Sequence, residues 1–307
     1  MIARLRSVLL LPLLGSLSLA APVEAKTWKQ VYPLQKQRTF TIEGDGVSVT
    51  VTPPPPYPDD EEVSDEEFQA TYEDAAITVT FPGLPPYAVP TDRYRSSPYG
   101  ISVGIGFMAR GDETPTVLIG GYSGGAHCCA TLQAVSLVDG RPVSAILPMK
   151  DGEPVDRFPR DVDRDGTVDI EWTDDSLRYA FSSGAASWSL PRIYNLRHGL
   201  PVDVSRDPGF ARIYRKFARD TLKECRSDEG ERNGACAAYA YVRAIQGDSE
   251  DGIRTAVGLA TDSDWYPYDC TVDYVDDMCP QGKERQFAGF EDALRWIMRK
   301  NGYLPAE

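Results

Sequence analysis

The residues with the most evident chemistry form one short run, Asp161-Val-Asp163-Arg-Asp165-Gly166-Thr167-Val-Asp169. Aspartates at its first, third, fifth and ninth positions turn their carboxylates inward around one point. Gly166 at the sixth position permits a sharp turn, and Thr167 at the seventh offers a backbone carbonyl. Hard oxygen ligands on a flexible loop suit Ca²⁺, whereas Mg²⁺ would take fewer carboxylates and more water. The competing reading is an Asp/Gly-rich surface turn without metal, but carboxylates packed this closely repel one another unless a cation joins them. The run is not an EF-hand. Its twelfth position is Trp172, where a bidentate Glu belongs, Glu171 falls one place early, and Val168-Asp-Ile-Glu-Trp172 reads as strand rather than helix.

A loop of this pattern leading into a strand resembles the calcium loops of integrin-type FG-GAP and VCBS repeats, over about Asp161 to Phe181. The resemblance implies Asp161, Asp163, Asp165, Thr167 and Asp169 as Ca²⁺ ligands. Those families carry several such loops around a propeller and this chain has one, so the likeness does not extend to a complete propeller. Upstream, Gly124-Gly-Ala-His127-Cys128-Cys129 resembles a group of exported bacterial proteins, a likeness that implies no activity.

A second chemical signal is Gly121-Tyr122-Ser123-Gly124-Gly125, which fits G-x-S-x-G after the strand-like Thr116-Val-Leu-Ile119. A serine hydrolase built on it would use Ser123 as nucleophile, His198 as base and Asp174 or Asp175 as the orienting acid. Against it, no His-Gly-Gly oxyanion segment lies upstream, and no alternation of strand and helix precedes the elbow. The Asp139-Gly140 hairpin that follows suits a strand better than a buried helix. A Gly-rich turn accounts for the same residues.

Six cysteines are present: Cys128, Cys129, Cys225, Cys236, Cys270 and Cys279. No C-x-x-C pair occurs and His127 and His198 are the only histidines, a poor kit for zinc. Disulfides are the first reading in an exported chain. Cys225 and Cys236 flank a polar turn between two predicted helices, and Cys270 and Cys279 bracket an acidic loop. Cys128 and Cys129 could form a vicinal bridge, or with His127 a thiol or soft-metal site.

The elements that must position these groups change character once. From 26 to 206 the pattern is strand, in runs such as Phe40–Glu43, Val47–Thr52, Ala76–Phe81, Ile101–Met108, Thr131–Val138, Arg178–Phe181 and Arg192–Asn195. An insertion at 53–67 holds five prolines around Tyr57 and then seven acids, the composition of a solvated loop or a partner-binding arm. From 207 to 307 the period is helical: Asp207 and Pro208 open a helix with Phe210, Ile213, Tyr214, Phe217 and Leu222 on one face. Further helices are predicted over Ala235–Ile245, Glu250–Leu259 and along the stripe Phe287, Phe290, Leu294, Ile297. The expected fold is α+β: an antiparallel meander, sandwich or partial propeller-like sheet, then a small disulfide-stapled helical bundle.

The first 25 residues have the pattern of a secretory signal peptide: Arg4 and Arg6, an apolar run from Ser7 to Ala20, then Val23 and Ala25 before a cleavage near Ala25. The apolar run is shorter than the roughly 20 residues a spanning helix needs. A periplasmic or secreted protein is expected. The formal charge of −14 repels phosphate backbones and argues against nucleic acid, while it suits a cation. The functional expectation is a non-catalytic, Ca²⁺-binding structural or binding protein whose partner is a protein or cell-envelope ligand. The alternatives are the hydrolase of Ser123 and His198, or a thiol and metal protein centred on His127, Cys128 and Cys129.

Overall fold

A computed structural model describes residues 27–31, 38–53, 75–90, 100–122, 130–151, 155–228, 230–275 and 278–306. The leader, the Pro/acidic run from 54 onward, and Ser123, His127, Cys128 and Cys129 lie outside these residues. Twelve strands are described. They are β1 (Thr27–Val31), β2 (Phe40–Gly44), β3 (Val47–Thr52), β4 (Ala76–Thr80), β5 (Tyr87–Ala88) and β6 (Ile101–Gly106). The others are β7 (Thr116–Tyr122), β8 (Ala130–Val138), β9 (Arg141–Ile146), β10 (Ile170–Asp174), β11 (Leu190–Arg197) and β12 (Leu200–Asp203). Four helices follow: α1 (Ala211–Cys225), α2 (Asn233–Ile245), α3 (Ser249–Leu259) and α4 (Phe290–Lys300). All strand pairs are antiparallel, so the fold is α+β with its strands before its helices.

Local chemistry makes the hairpins. Asp45-Gly46, Asp139-Gly140 and His198-Gly199 are two-residue turns with φ of 49° and 82°, 50° and 72°, and 50° and 73°. Two successive positive φ values define the hairpin turn whose twist matches the flanking strands, and Gly takes its second position without steric cost.

Three antiparallel sheets result, in the orders β2-β3-β4-β5, β1-β6-β7-β8-β9 and β10-β11-β12. The first packs on one face of the second through a core that includes Val49, Val51, Val79, Val103 and Ile105, all fully buried. Full burial of such a side chain contributes about 1.5–3 kcal/mol. The other face of the five-stranded sheet, with Leu118, Leu132 and Ala134, meets Ile170 and Trp172 of the third sheet. β6 and β7 therefore bury consecutive residues rather than alternate ones.

The third sheet then contributes Leu190 and Ile193, and its neighbouring turn Leu177 and Phe181, to the core formed by the helices. The apolar core thus runs across residue 207, where the secondary structure changes. Cys225–Cys236 and Cys270–Cys279 are both disulfides, in the pairing the spacing predicts.

Two local expectations need correction. Arg178–Phe181 is not a strand. The Ser176 N–H caps onto Asp174 Oδ1 at 2.9 Å, Arg178 N–H reaches Asp175 O at 2.8 Å, and Tyr179 takes φ 57°. A coil of turns is the outcome, which lets Leu177, Ala180 and Phe181 all point into the helical core. Asp207 does precede the helical region with Pro208 in the first turn, but its side chain makes no capping bond, and a 3-10 turn, Pro208–Phe210, starts the run.

Candidate metal centre

The aspartate loop is a closed structure. The Asp169 N–H bonds to Arg160 O at 2.9 Å across its neck. A second bridge pairs Ala109 with Thr167: Arg110 N–H donates to Gly166 O at 2.8 Å and Val168 N–H to Met108 O at 2.7 Å. Those two bonds leave the Thr167 carbonyl out of the ladder, as a ligand carbonyl requires. Inside the loop, backbone amides donate to the aspartates. Asp161 accepts from Arg164 at 2.6 Å and Gly166 at 3.0 Å, Asp163 from Asp165 at 3.2 Å, and Asp165 from Thr167 at 2.6 Å. Arg164 and Gly166 hold φ of 68° and 97°, which wraps the chain tightly enough for these bonds.

Asp161, Asp163 and Asp169 each bring a carboxylate oxygen to within 4.8 Å of the others. Oxygens around one Ca²⁺ at 2.3–2.6 Å are separated by up to about 5 Å, so this trio fits a single ion. Asp165 is not part of that trio; its carboxylate caps the Thr167 amide.

The electrostatics fit the same reading. Asp169 is buried, and burial is the main cause that lifts its carboxyl above the ordinary aspartate value, against the amide and amide side-chain bonds that pull it down. Asp163 is lifted chiefly by burial as well, with Asp165 and Asp161 adding like-charge repulsion. A cation among these groups would relieve both effects.

Residues from elsewhere in the chain complete the loop, and nothing in its spacing announces them. Asn195 of β11 donates Nδ2–H to Asp169 Oδ1 at 2.7 Å and to Val168 O at 3.1 Å, while from within the loop Val162 N–H donates to Asp169 Oδ2 at 2.7 Å. Asp169 is thereby oriented from both sides, the outer-shell role that positions metal ligands. Gly209, in the 3-10 turn before α1, lies so close that a Cβ there would sit 2.2 Å from Asp163 Oδ2. Val162 packs against the helical core. The loop is wedged between the strands that form it and the entry to the helices.

Of the residues of the alternative readings, His198, Asp174 and Asp175 are described, and Ser123, His127, Cys128 and Cys129 lie outside the described residues. His198 is the first residue of the β11–β12 turn. It lines a cleft of about 580 Å³ with Met108, Asp112, Glu113 and Asp139, and Asp175 is not among the residues lining it. Asp175 instead accepts the Asp151 amide at 2.7 Å and the Thr173 hydroxyl at 3.3 Å. Asp174 takes the Tyr303 hydroxyl at 2.6 Å, beside Arg192.

Comparison with known proteins gives the chain relatives whose names state a compartment at most. Residues 213–302 match the family model described as the sll0997 C-terminal domain, a segment running from α1 to the end of α4. The chain is 31% identical over 207 residues to a "Probable thylakoid lumen protein sll0997" of Synechocystis sp., covering 65% of this chain and 60% of that protein. It is 24% identical over 201 residues to "Uncharacterized protein y4bJ" of Sinorhizobium fredii, covering 64% of this chain and 31% of that one. The chain therefore spans about three fifths and a third of these relatives' lengths. No solved structure matches it. Among the described residues, no helix is long and apolar enough to cross a membrane.

Proposed function

We propose that this chain is an exported, non-catalytic protein whose aspartate loop binds one Ca²⁺ ion and uses it to hold the strands against the helical region. The observation that carries the reading is the convergence of Asp161, Asp163 and buried Asp169 beside Gly209. Asp165 and the Thr167 carbonyl complete the ligand set that the FG-GAP/VCBS resemblance implies. Export is supported by the signal-peptide pattern of the first 25 residues and by the lumenal name of the Synechocystis relative. The non-catalytic reading is supported by His198 serving as a turn residue and by Asp175 accepting the Asp151 amide and the Thr173 hydroxyl. The partner is a protein or cell-envelope ligand.

Calcium that binds the folded chain and not the unfolded one stabilises folding by about 2.7 kcal/mol at 100 times the dissociation constant. For a chain of this size that is roughly 5–10 °C in melting temperature. Chelator should lower the midpoint by that amount, and restored Ca²⁺ should recover it. Asp163→Ala should abolish most of the response, while Asp59→Ala in the acidic run should leave it intact. A melting curve indifferent to both chelator and millimolar Ca²⁺ would reduce the loop to an acidic turn.

A further inference from the structure

Ten large apolar side chains are exposed among the described residues, and six of them fall between 265 and 278: Trp265, Tyr268, Val272, Tyr274, Val275 and Met278. Tyr268 and Met278 are 65% and 70% exposed, the two highest values of the ten. Such a concentration on one loop is unlike the single exposed leucines found on any protein surface.

The described residues of this segment are tied at its base. Cys270–Cys279 closes it. Thr271 N–H donates to Lys283 O at 2.8 Å and Arg285 N–H to Asp269 O at 2.8 Å, which tie its base to the strand-like return. Asp269 accepts the Tyr274 hydroxyl at 3.3 Å and pairs with Lys300 of α4 at 3.1 Å. A surface ordered in advance loses little entropy when a partner docks. Beside the loop lies a cavity of about 330 Å³, lined by Pro267, Tyr268, Trp296, Ile297 and Tyr179 among others. Tyr179 is itself 43% exposed and holds a φ of 57°, costly for an aromatic residue and a mark of functional positions. The two cations on the cavity wall are engaged, Lys300 by Asp269 and Arg178 by an ion pair with Asp151.

Charge selects the occupant. From Thr261 to Gly282 the sequence holds no Lys or Arg, while Asp262, Asp264 and Asp273 accompany the aromatic side chains as exposed charges. Exposed Trp, Tyr and Met alone would equally suit a lipid interface, but an anionic bilayer repels a loop of this charge. Arginine attracts both features at once, pairing with the carboxylates and stacking on the rings. We propose that the exposed side chains Tyr268, Val272, Tyr274, Val275 and Met278 and the adjoining cavity are a docking site for a protein segment with an apolar anchor side chain flanked by arginines. The anchor enters the cavity between Tyr268 and Trp296, and the flanking guanidiniums lie over Tyr274 and the loop aspartates.

The test uses the full mature chain and a fluorescein-labelled, arginine-rich 12-residue peptide with a central Leu-Leu pair. The same peptide with Ser-Ser in place of Leu-Leu keeps the charge and removes the anchor. Tyr268→Ser/Met278→Ser keeps the charge of the protein, and both positions are exposed enough to leave its folding unaffected. Each change should weaken binding by about tenfold, and the two should not add, since they remove opposite sides of one contact. Leu200→Ser, at a site 53% exposed in the β11–β12 hairpin, should leave binding unchanged. Absence of peptide binding overturns the proposal, as does binding insensitive to Tyr268→Ser/Met278→Ser, which is diffuse attraction to an acidic protein. Binding of phosphatidylglycerol vesicles through the same side chains would assign the loop to a membrane. Sedimentation velocity showing a dimer abolished by the double substitution would assign it to a second copy, through its exposed Arg212, Arg215 and Arg219. Either result overturns the proposal.

Discussion

Asp169 shows how one residue carries both the geometry and the pH dependence of the loop. It is 2% exposed, accepts Val162 N–H and Asn195 Nδ2–H, and with Asp163 is held above the ordinary aspartate range by burial. In the metal-free protein the folded state therefore binds these protons more tightly than the unfolded chain does. That contribution to stability is full below the unfolded value of about 3.9 and is lost as pH rises through the raised folded values. Calcium needs the ionised forms, so protons compete with it at the low end of that window. The rise in melting temperature on adding Ca²⁺ should be large at pH 7 and small near pH 4, read from paired thermal melts at the two values. An equal rise at both would mean that Asp163 and Asp169 are not ligands.

At the scale of the element, the helical hairpin is the best place to separate local from tertiary stabilisation. α1 and α2 are joined by a short turn, and Cys225 and Cys236 on either side of it are fully buried and bridged. Both cysteines sit in the core that also holds Tyr214, Ala237 and Ala240. Cys225→Ala/Cys236→Ala should cost about 2–4 kcal/mol, since it frees the unfolded chain and leaves sulfur-sized gaps in the core. Denaturant unfolding of the double variant under non-reducing conditions checks this. Cys270–Cys279 closes an exposed loop, so its removal should cost less and show instead in the docking of the arginine-rich peptide.

Across the whole molecule the layers share side chains, and cooperativity should follow from that. The helical core includes Leu190 and Ile193 of the third sheet, Phe181 packs on Phe290 at 5.0 Å, and Tyr303 beyond α4 reaches back to Asp174 at 2.6 Å. Arg192 stacks over Tyr303 at 4.7 Å while pairing with Asp203 at 2.7 Å, which welds β11 and β12 to the C-terminal segment. With the aspartate loop touching Gly209, unfolding of the helices should feel an ion bound there, as proposed. Calorimetry should therefore give one transition spanning the third sheet and the helices. Helical circular dichroism should shift with Ca²⁺ by the same amount as the calorimetric midpoint. A helical melt that ignores Ca²⁺ would separate the two regions.

What the sequence by itself determined was local. Asp139-Gly140 dictates its hairpin because two adjacent residues can satisfy the turn without help. The four helices follow from apolar spacing within single segments. Cys225–Cys236 and Cys270–Cys279 pair across 11 and 9 residues, near enough for chain proximity to choose them. The aspartate spacing likewise predicts that Asp161, Asp163 and Asp169 converge, while Asp165 turns to the Thr167 amide instead. His198-Gly199 carried the same turn signal as Asp139-Gly140, yet its histidine drew attention as a base. Only the tertiary structure decided which sheets stack, why β6 and β7 bury both faces, and that β1 pairs with β6 some seventy residues away. It also decided that Asn195 orients Asp169 across 26 residues and that Gly209 abuts Asp163. These contacts join segments with no shared period or spacing, and each forms only after the layers have packed. The loop's pattern brings its carboxylates together, but the packing around it decides what an ion bound there would hold together.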